Sequence, residues 1–186
     1  MRDILLVAAT DRELDGRDGL VCGIGPVEAA SATARALALG EWRAVLHIGV
    51  AGGRGLEPGS LVIGTEAVYS DLAAEIEFTN RVSATPTLLA AARAALPDVP
   101  ALPIATSAAV NGARDGVLVE AMEGFGVLRA AGIAGVPAIE IRAISNAIGE
   151  RDRRRWEIGK AITALSSAVP ALIDAITVAG ATPRGS

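Results

Sequence analysis

Ala44-Val45-Leu46-His47-Ile48-Gly49-Val50-Ala51-Gly52-Gly53 is the stretch that decides the fold. Residues 44–50 form an apolar run broken only by one histidine, the pattern of a strand covered on both faces. The run passes into three glycines, Gly49, Gly52 and Gly53, which would let backbone approach a ligand closely and turn amides toward it. A plain loop is the other reading of the same glycines.

Working outward, the alternation of strand and helix repeats. Residues 4–9 read as a buried strand, and 19–22 as a short one closed by Gly23-Ile24-Gly25-Pro26. Pro26 suits a first helical turn, so 26–39 reads as an alanine-rich helix that Gly40 stops. Strands follow at 60–69, after the turn Pro58-Gly59, and at 102–105, 117–121 and 137–145, with helices at 86–96 and 122–131. Residues 108–116 read as a polar loop. The last helix reads as 152–178, with Gly159 and Pro170 as candidate bends. Strands that are mostly apolar throughout, alternating with helices, predict an α/β fold: a three-layer α/β/α sandwich around a largely parallel, mixed sheet. Residues 1–178 read as a single domain and 179–186 as a disordered tail. Ligands of such sheets sit at the carboxyl ends of the strands.

Composition narrows the function. The 186 residues are 51% hydrophobic, enough for one sizeable core, and the net charge of −4 comes without a block of like charges that would suit nucleic acid. The one basic cluster, Arg151 with Arg153, Arg154 and Arg155, is interrupted by Asp152 and reads as a solvated helix start, with an anion site as the alternative. A single cysteine, Cys22, excludes an intrachain disulfide and a cysteine metal cluster. The one histidine, His47, sits inside the apolar run and reads as a core residue, not a triad base. The apolar run at the N-terminus is too short for a signal peptide, and no window of about 18 uninterrupted apolar residues suggests a membrane span. These features predict a cytoplasmic protein.

The polar residues at strand ends carry the candidate chemistry. Gly23-Ile24-Gly25 lacks the third glycine of a dinucleotide fingerprint, since Glu28 stands there, and reads as a tight strand-to-helix turn. Breaking an N-ribosidic bond builds positive charge on the sugar and negative charge on the departing base. It needs a carboxylate near the ribose, an activated water and a group that stabilises the base. Glu123, opening a helix in Ala121-Met122-Glu123-Gly124, suits the ribose hydroxyls or else only the helix N-terminus. Met122 offers apolar contact to a sugar, or to the core. Asn146, ending Ile141-Arg142-Ala143-Ile144-Ser145-Asn146, carries the donor and the acceptor that a 6-oxopurine edge matches, or else makes a turn. Glu13, four residues beyond the first strand, is placed to activate water or to start a surface helix.

These motifs together resemble the purine nucleoside phosphorylase and nucleosidase superfamily over nearly the whole chain. Within it, Ser145-Asn146-Ala147-Ile148-Gly149-Glu150-Arg151-Asp152-Arg153 is most similar to futalosine hydrolases of the alternative menaquinone pathway. The resemblance implies hydrolysis of futalosine to release hypoxanthine, with Glu13 activating water, Met122 and Glu123 holding the ribose, and Asn146 in place of a general-acid aspartate. It puts Ala51, Gly52 and Ser145 in the substrate pocket. It implies no metal or organic cofactor, a small nucleoside as partner, neither nucleic acid nor membrane, and a homo-oligomer, dimer or larger. Hydrolysis is favoured over phosphorolysis because Glu13 would repel phosphate and Gly23-Ile24-Gly25-Pro26 holds no arginine. Other readings are a nucleosidase or phosphorylase for another purine nucleoside, or a nucleoside-binding protein without turnover. Only nine residues separate Glu13 from Gly23, and seventeen separate Ala105 from Glu123, where the family usually places pocket loops. No aromatic lies between Phe78 and Phe125 to stack on a base, which leaves that role to an apolar residue near Val110 or to a partner subunit.

Overall fold

The computed structural model describes residues 2–72, 76, 78–112 and 116–180. In chain order its elements are β1 (Arg2–Ala8), α1 (Asp11–Leu14), β2 (Leu20–Val21), α2 (Pro26–Leu39), β3 (Trp42–Gly53), β4 (Leu61–Tyr69), β5 (Arg81–Ser83), α3 (Pro86–Ala95), β6 (Ala101–Thr106), β7 (Val119–Ala121), α4 (Gly124–Ile133), β8 (Ala138–Ala147) and α5 (Ile158–Gly180). A 3-10 turn at Arg153–Arg155 precedes α5.

The sheet is mixed. β1 lies between β2 and β3, parallel to both, and β3 is parallel to β8. β8 is antiparallel to β4, β4 is parallel to β6, β6 to β7, and β7 returns antiparallel to the end of β3. Five strands therefore close on themselves, with β2, β1 and β5 outside the ring. Leu6, Leu46 and Ile141 pack with Leu88 of α3 and Leu165, Val169 and Leu172 of α5 on one face. Leu5, Val7 and Val45 pack with Ala29 of α2 and Val127 and Leu128 of α4 on the other. Helices on both faces explain why these strands are apolar throughout and give the three layers.

α5 is the one described helix long and apolar enough to cross a membrane, at a mean hydropathy of 1.7. Its inner face, Ala161, Leu165, Val169, Leu172 and Ile176, is buried in the core, while Thr163, Ser167 and Asp174 are exposed. It is packed here as the amphipathic cover of the sheet.

Several boundaries differ from the sequence reading for local reasons. The glycine stretch is not a loop. β3 runs through Gly53, bulging between Ala51 and Gly52 so that it can pair with both β8 and β7. The last helix begins at Ile158 and not at 152: Asp152 caps the 3-10 turn by accepting from the Arg154 amide, and Trp156 is extended. The two short elements α1 and β5 carry too little periodicity to read, and helix α4 starts two residues later than Met122. Helix α5 continues to Gly180, two residues into the expected tail; 181–186, like 113–115 of the expected loop, lie outside the described residues.

Candidate active site

The carboxyl ends of β1, β3, β7 and β8 surround a cavity of about 420 Å³, within the range of small-molecule sites. All seven residues singled out in the sequence, Glu13, Ala51, Gly52, Met122, Glu123, Ser145 and Asn146, line it. They come from four segments far apart in the chain, and the parallel pairing of β1, β3 and β8 aligns their ends.

Glu13 is fixed from three sides. Thr10 caps α1 and forms a capping box in which its amide donates to Glu13 Oε2 at 3.0 Å and its hydroxyl to the same oxygen at 2.9 Å. The Val50 amide donates to Oε1 at 2.9 Å. Glu13 is buried and not on a surface helix: the capping box turns its carboxylate inward, toward the end of β3.

Glu123 precedes α4 but makes no side-chain cap. Its Oε1 accepts from the Gly25 amide at 3.1 Å, and its Oε2 meets Arg142 Nη2 at 3.2 Å. The Gly23-Ile24-Gly25 turn therefore serves to bring a backbone amide to this carboxylate.

Arg142 received no role in the sequence reading, yet the floor of the site is built around it. It is fully buried; Nε donates to Glu140 Oε1 at 2.7 Å, Nη1 to the Val50 carbonyl at 3.2 Å, and Nη2 lies 2.6 Å from His47 Nε2. Burial works against its charge, but the carboxylates of Glu140, Glu123 and Glu13 push its pKa above the ordinary value. Gly49 stands opposite Arg142 in the β3–β8 register, and a Cβ there would collide with Arg142 Nη1 and lie 2.9 Å from Glu13 Oε1. A Cβ on Gly124 would collide with the Glu140 carboxylate. Both motif glycines thus make room for internal charges. The legible signal was the spacing in Ile139-Glu140-Ile141-Arg142-Ala143: opposite charges two apart on one face of a buried strand must be paired.

His47 is a core residue, as its apolar surroundings predict. A guanidinium only donates, so Nε2 accepts from Arg142 and the proton sits on Nδ1, which donates to the Val7 carbonyl at 3.0 Å. Burial first, and then the Arg142 charge, push its pKa well below the ordinary value, so the ring is neutral. Burial raises the pKa of Glu140, while its pair with Arg142 opposes that rise.

Asn146 has a determined orientation. The Ala147 carbonyl, an acceptor only, lies 3.0 Å from Nδ2, and the Ser145 hydroxyl donates to Oδ1 at 2.7 Å. One N–H and one lone pair of the amide are left for a ligand. Ser145 is buried, and its hydroxyl orients Asn146.

The wall is mostly apolar: Ile24, Val110, Trp156, Ile158 and Ile162 line it beside Met122. Asn111, in a left-handed conformation at φ 58°, holds Val110 in place by donating its amide to Glu120 at 2.6 Å and accepting the Gly149 amide at 2.7 Å. Phe125 stacks on Tyr69 with ring centroids 5.2 Å apart and does not line the cavity. Among the described residues Trp156 is the one aromatic that does, unnoticed in sequence because it follows the arginine cluster. Among the described residues no three His, Cys, Asp or Glu side chains are grouped to hold a metal ion.

Comparison with known proteins places the chain in a family. Residues 20–114 match the family described as Phosphorylase superfamily. The chain is 39% identical over 182 residues to a futalosine hydrolase of Streptomyces coelicolor, covering 83% of this chain and 77% of that protein. Over 57 residues, 31% of this chain and 23% of the other, it is 51% identical to a futalosine hydrolase of Acidothermus cellulolyticus. Among solved structures, a 5'-methylthioadenosine/S-adenosylhomocysteine nucleosidase of Colwellia psychrerythraea in complex with adenine superposes with a TM-score of 0.83 at 20% identity, covering 94% of this chain and 96% of that one. Native futalosine hydrolase of Helicobacter pylori superposes with a TM-score of 0.82 at 17% identity, covering 93% and 97%. At these identities the superpositions speak for the fold, and the sequence match to the Streptomyces protein speaks for the family. The chain belongs to the phosphorylase superfamily and, within it, to the futalosine hydrolase family.

Proposed function

We propose that this protein is a nucleosidase that hydrolyses the N-ribosidic bond of futalosine, releasing hypoxanthine for menaquinone biosynthesis, in the cytoplasm and as a homo-oligomer. The observation that carries the reading is the convergence of Glu13, Glu123 and Asn146, from three separate segments, on one cavity. Glu13, held by Thr10 and Val50, positions and activates the water that attacks the anomeric carbon. Glu123 accepts hydrogen bonds from the ribose hydroxyls, with Met122, Ala51 and Gly52 as its apolar and backbone surroundings. Arg142 keeps the two carboxylates side by side by offsetting their repulsion.

Asn146 has no proton to give up, so it acts on the leaving base by hydrogen bonding. Its remaining N–H meets O6, and its remaining lone pair accepts from N7 once N7 has taken a proton from solvent water, so that hypoxanthine departs neutral. Hydrolysis is preferred to phosphorolysis because two carboxylates, Glu13 and Glu123, line the cavity and would repel a phosphate. Incubating the protein with futalosine, inosine and methylthioadenosine, with and without phosphate, tests the reading. Release of hypoxanthine from futalosine without phosphate is expected. Release that requires phosphate, or only from the 6-amino nucleoside, would replace it.

A further inference from the structure

Glu120 is a third carboxylate on the cavity, beside Glu13 and Glu123, and the hydrolysis proposed above gives it no part. It is 7% exposed on β7, a strand of three residues whose other two, Val119 and Ala121, pack into an apolar cluster. A carboxylate so placed is costly unless donors meet it. Its neighbours in the sheet locate it. Gly52 of β3 pairs with Glu120 on one side and with Asn146 of β8 on the other, and all three line the cavity. Neighbouring strands lie about 4.8 Å apart, so the two polar residues stand roughly 10 Å apart at Cα with the glycine between them. A Cβ on Gly52 would lie 3.3 Å from Asn146 Nδ2, so its absence leaves bare backbone on which a planar base fits between the two side chains. Asn111 closes the arc: its amide donates to Glu120 Oε1 at 2.6 Å, and its Oδ1 accepts at 2.7 Å from the amide of Gly149, three residues beyond Asn146.

In the reading above, Asn146 meets the N7 and O6 edge of a 6-oxopurine. N1 is bonded to C6, the carbon that bears O6, and its N–H lies along the same edge on the side away from N7. With N7 and O6 at Asn146, that N–H is directed across Gly52 toward β7. We propose that Glu120 recognises the base at position 1, its carboxylate accepting the N1–H that a 6-oxopurine carries and a 6-aminopurine lacks. The inference rests on the purine nucleoside reading of the cavity and adds to it a second, separate determinant of the base. A carboxylate offers about four acceptor positions, more than the Asn111 amide takes. Against adenine, whose N1 is an acceptor, the same carboxylate sets lone pair against lone pair. Its negative charge also opposes a base that departs as an anion, so the contact favours departure with N7 protonated.

The test measures calorimetric Kd for hypoxanthine, 1-methylhypoxanthine and adenine, and kcat/KM for futalosine, inosine and adenosine, in wild type, Glu120→Gln and Glu120→Asp. A glutamine still accepts the Asn111 amide through its oxygen, and its nitrogen offers adenine N1 a donor. A hydrogen bond to a charged group is worth about ten- to a hundredfold, so Glu120→Gln should lower the preference for hypoxanthine over adenine, and for inosine over adenosine, by that factor. Glu120→Asp keeps the charge on a shorter arm and should retain part of the preference. Wild type should bind 1-methylhypoxanthine, which has no N1–H, at least about tenfold more weakly than hypoxanthine, a measurement that needs no variant to fold. If Glu120 only anchors Asn111, Glu120→Gln weakens both bases alike and the ratio stays. That result, or equal affinity of wild type for hypoxanthine and its 1-methyl derivative, overturns the assignment while leaving the nucleosidase reading intact. A shifted base preference without cleavage of futalosine or either nucleoside keeps Glu120 as the group that reads position 1 and overturns the nucleosidase.

Discussion

At the floor of the cavity Arg142 is fully buried and reaches Glu140, Glu123, His47 and the Val50 carbonyl, whereas at the mouth Arg153 is exposed and lies over the ring of Trp156. The two residues carry the same charge and line or underlie the same site. They differ in what the fold asks of them. The floor residues come from strand ends whose register sets them face to face, Gly49 opposite Arg142 and His47 opposite Glu140. Arg153 comes from the segment before α5, where no strand register constrains it. Chemistry at the floor is therefore tied to stability, and charge at the mouth is free to vary without it.

The largest expected effect breaks the floor. Arg142→Met removes the cation that, among the described residues, pairs with Glu140 and Glu123, leaving two buried carboxylates uncompensated, at a cost of about 3 to 5 kcal/mol. Arg153→Met should leave the urea midpoint where it is. Comparable losses in the two variants would show that floor and mouth are not distinguished in this way.

Next in size are the two carboxylates. Glu13→Gln and Glu123→Gln should each lower kcat/KM by at least about a hundredfold, the scale of a positioned acid-base group. Glu13→Gln should act mainly on kcat, because its proposed partner is water. Glu123→Gln should also raise KM, because its proposed partner is the ribose of the bound ground state. Glu13→Gln keeps the shape but turns an N–H toward either the Val50 or the Thr10 amide, so it also costs some stability. A Glu13→Gln enzyme with near wild-type kcat would remove Glu13 from the mechanism.

Asn146, proposed to read the base, lines the same cavity. Asn146→Asp can protonate N7 and accept from a 6-amino group, so the ratio of kcat/KM for inosine over adenosine should fall about ten- to a hundredfold. If the ratio does not move, Asn146 is not the group that recognises position 6.

The fold was legible where burial is two-sided. Residues 44–50 and 137–145 announce strands because no face of them meets water. The site was legible as far as strand ends carry polar residues, which located Glu13, Glu123 and Asn146. Gly49 misled, because a missing Cβ signals close approach without saying to what. Gly49 admits the Arg142 guanidinium, as Gly124 admits the Glu140 carboxylate, while Gly52 lines the cavity. Arg142 stood in a quoted motif with no role attached; the reason for it lies in partners 95 and 19 positions away, which no local pattern contains. Arg153 could not be told from Arg154 in sequence, since both follow Asp152 within two positions, and only the 3-10 turn sends one to Asp152 and the other to the cavity.

The smallest effect concerns pH and isolates His47 within the floor. Its folded pKa lies well below its ordinary value of 6.5, by burial and by the Arg142 charge, so below about pH 6.5 the unfolded chain binds a proton that the folded chain refuses. Its contribution to stability is complete above that pH and declines as pH falls, by about 1.4 kcal/mol at pH 5.5 for one site. Glu140 acts in the opposite sense. Its folded pKa is raised above 4.5, so its contribution is present at low pH and lost as pH rises through the folded value. His47→Asn keeps a donor for the Val7 carbonyl and removes the group that titrates. Between pH 7.5 and 5.5 the wild-type unfolding free energy should fall, while that of His47→Asn should stay level or rise as the opposing term from Glu140 is left alone. Parallel curves for the two proteins across that range would mean that the acid sensitivity arises elsewhere, and that the floor tolerates a charged imidazole beside Arg142.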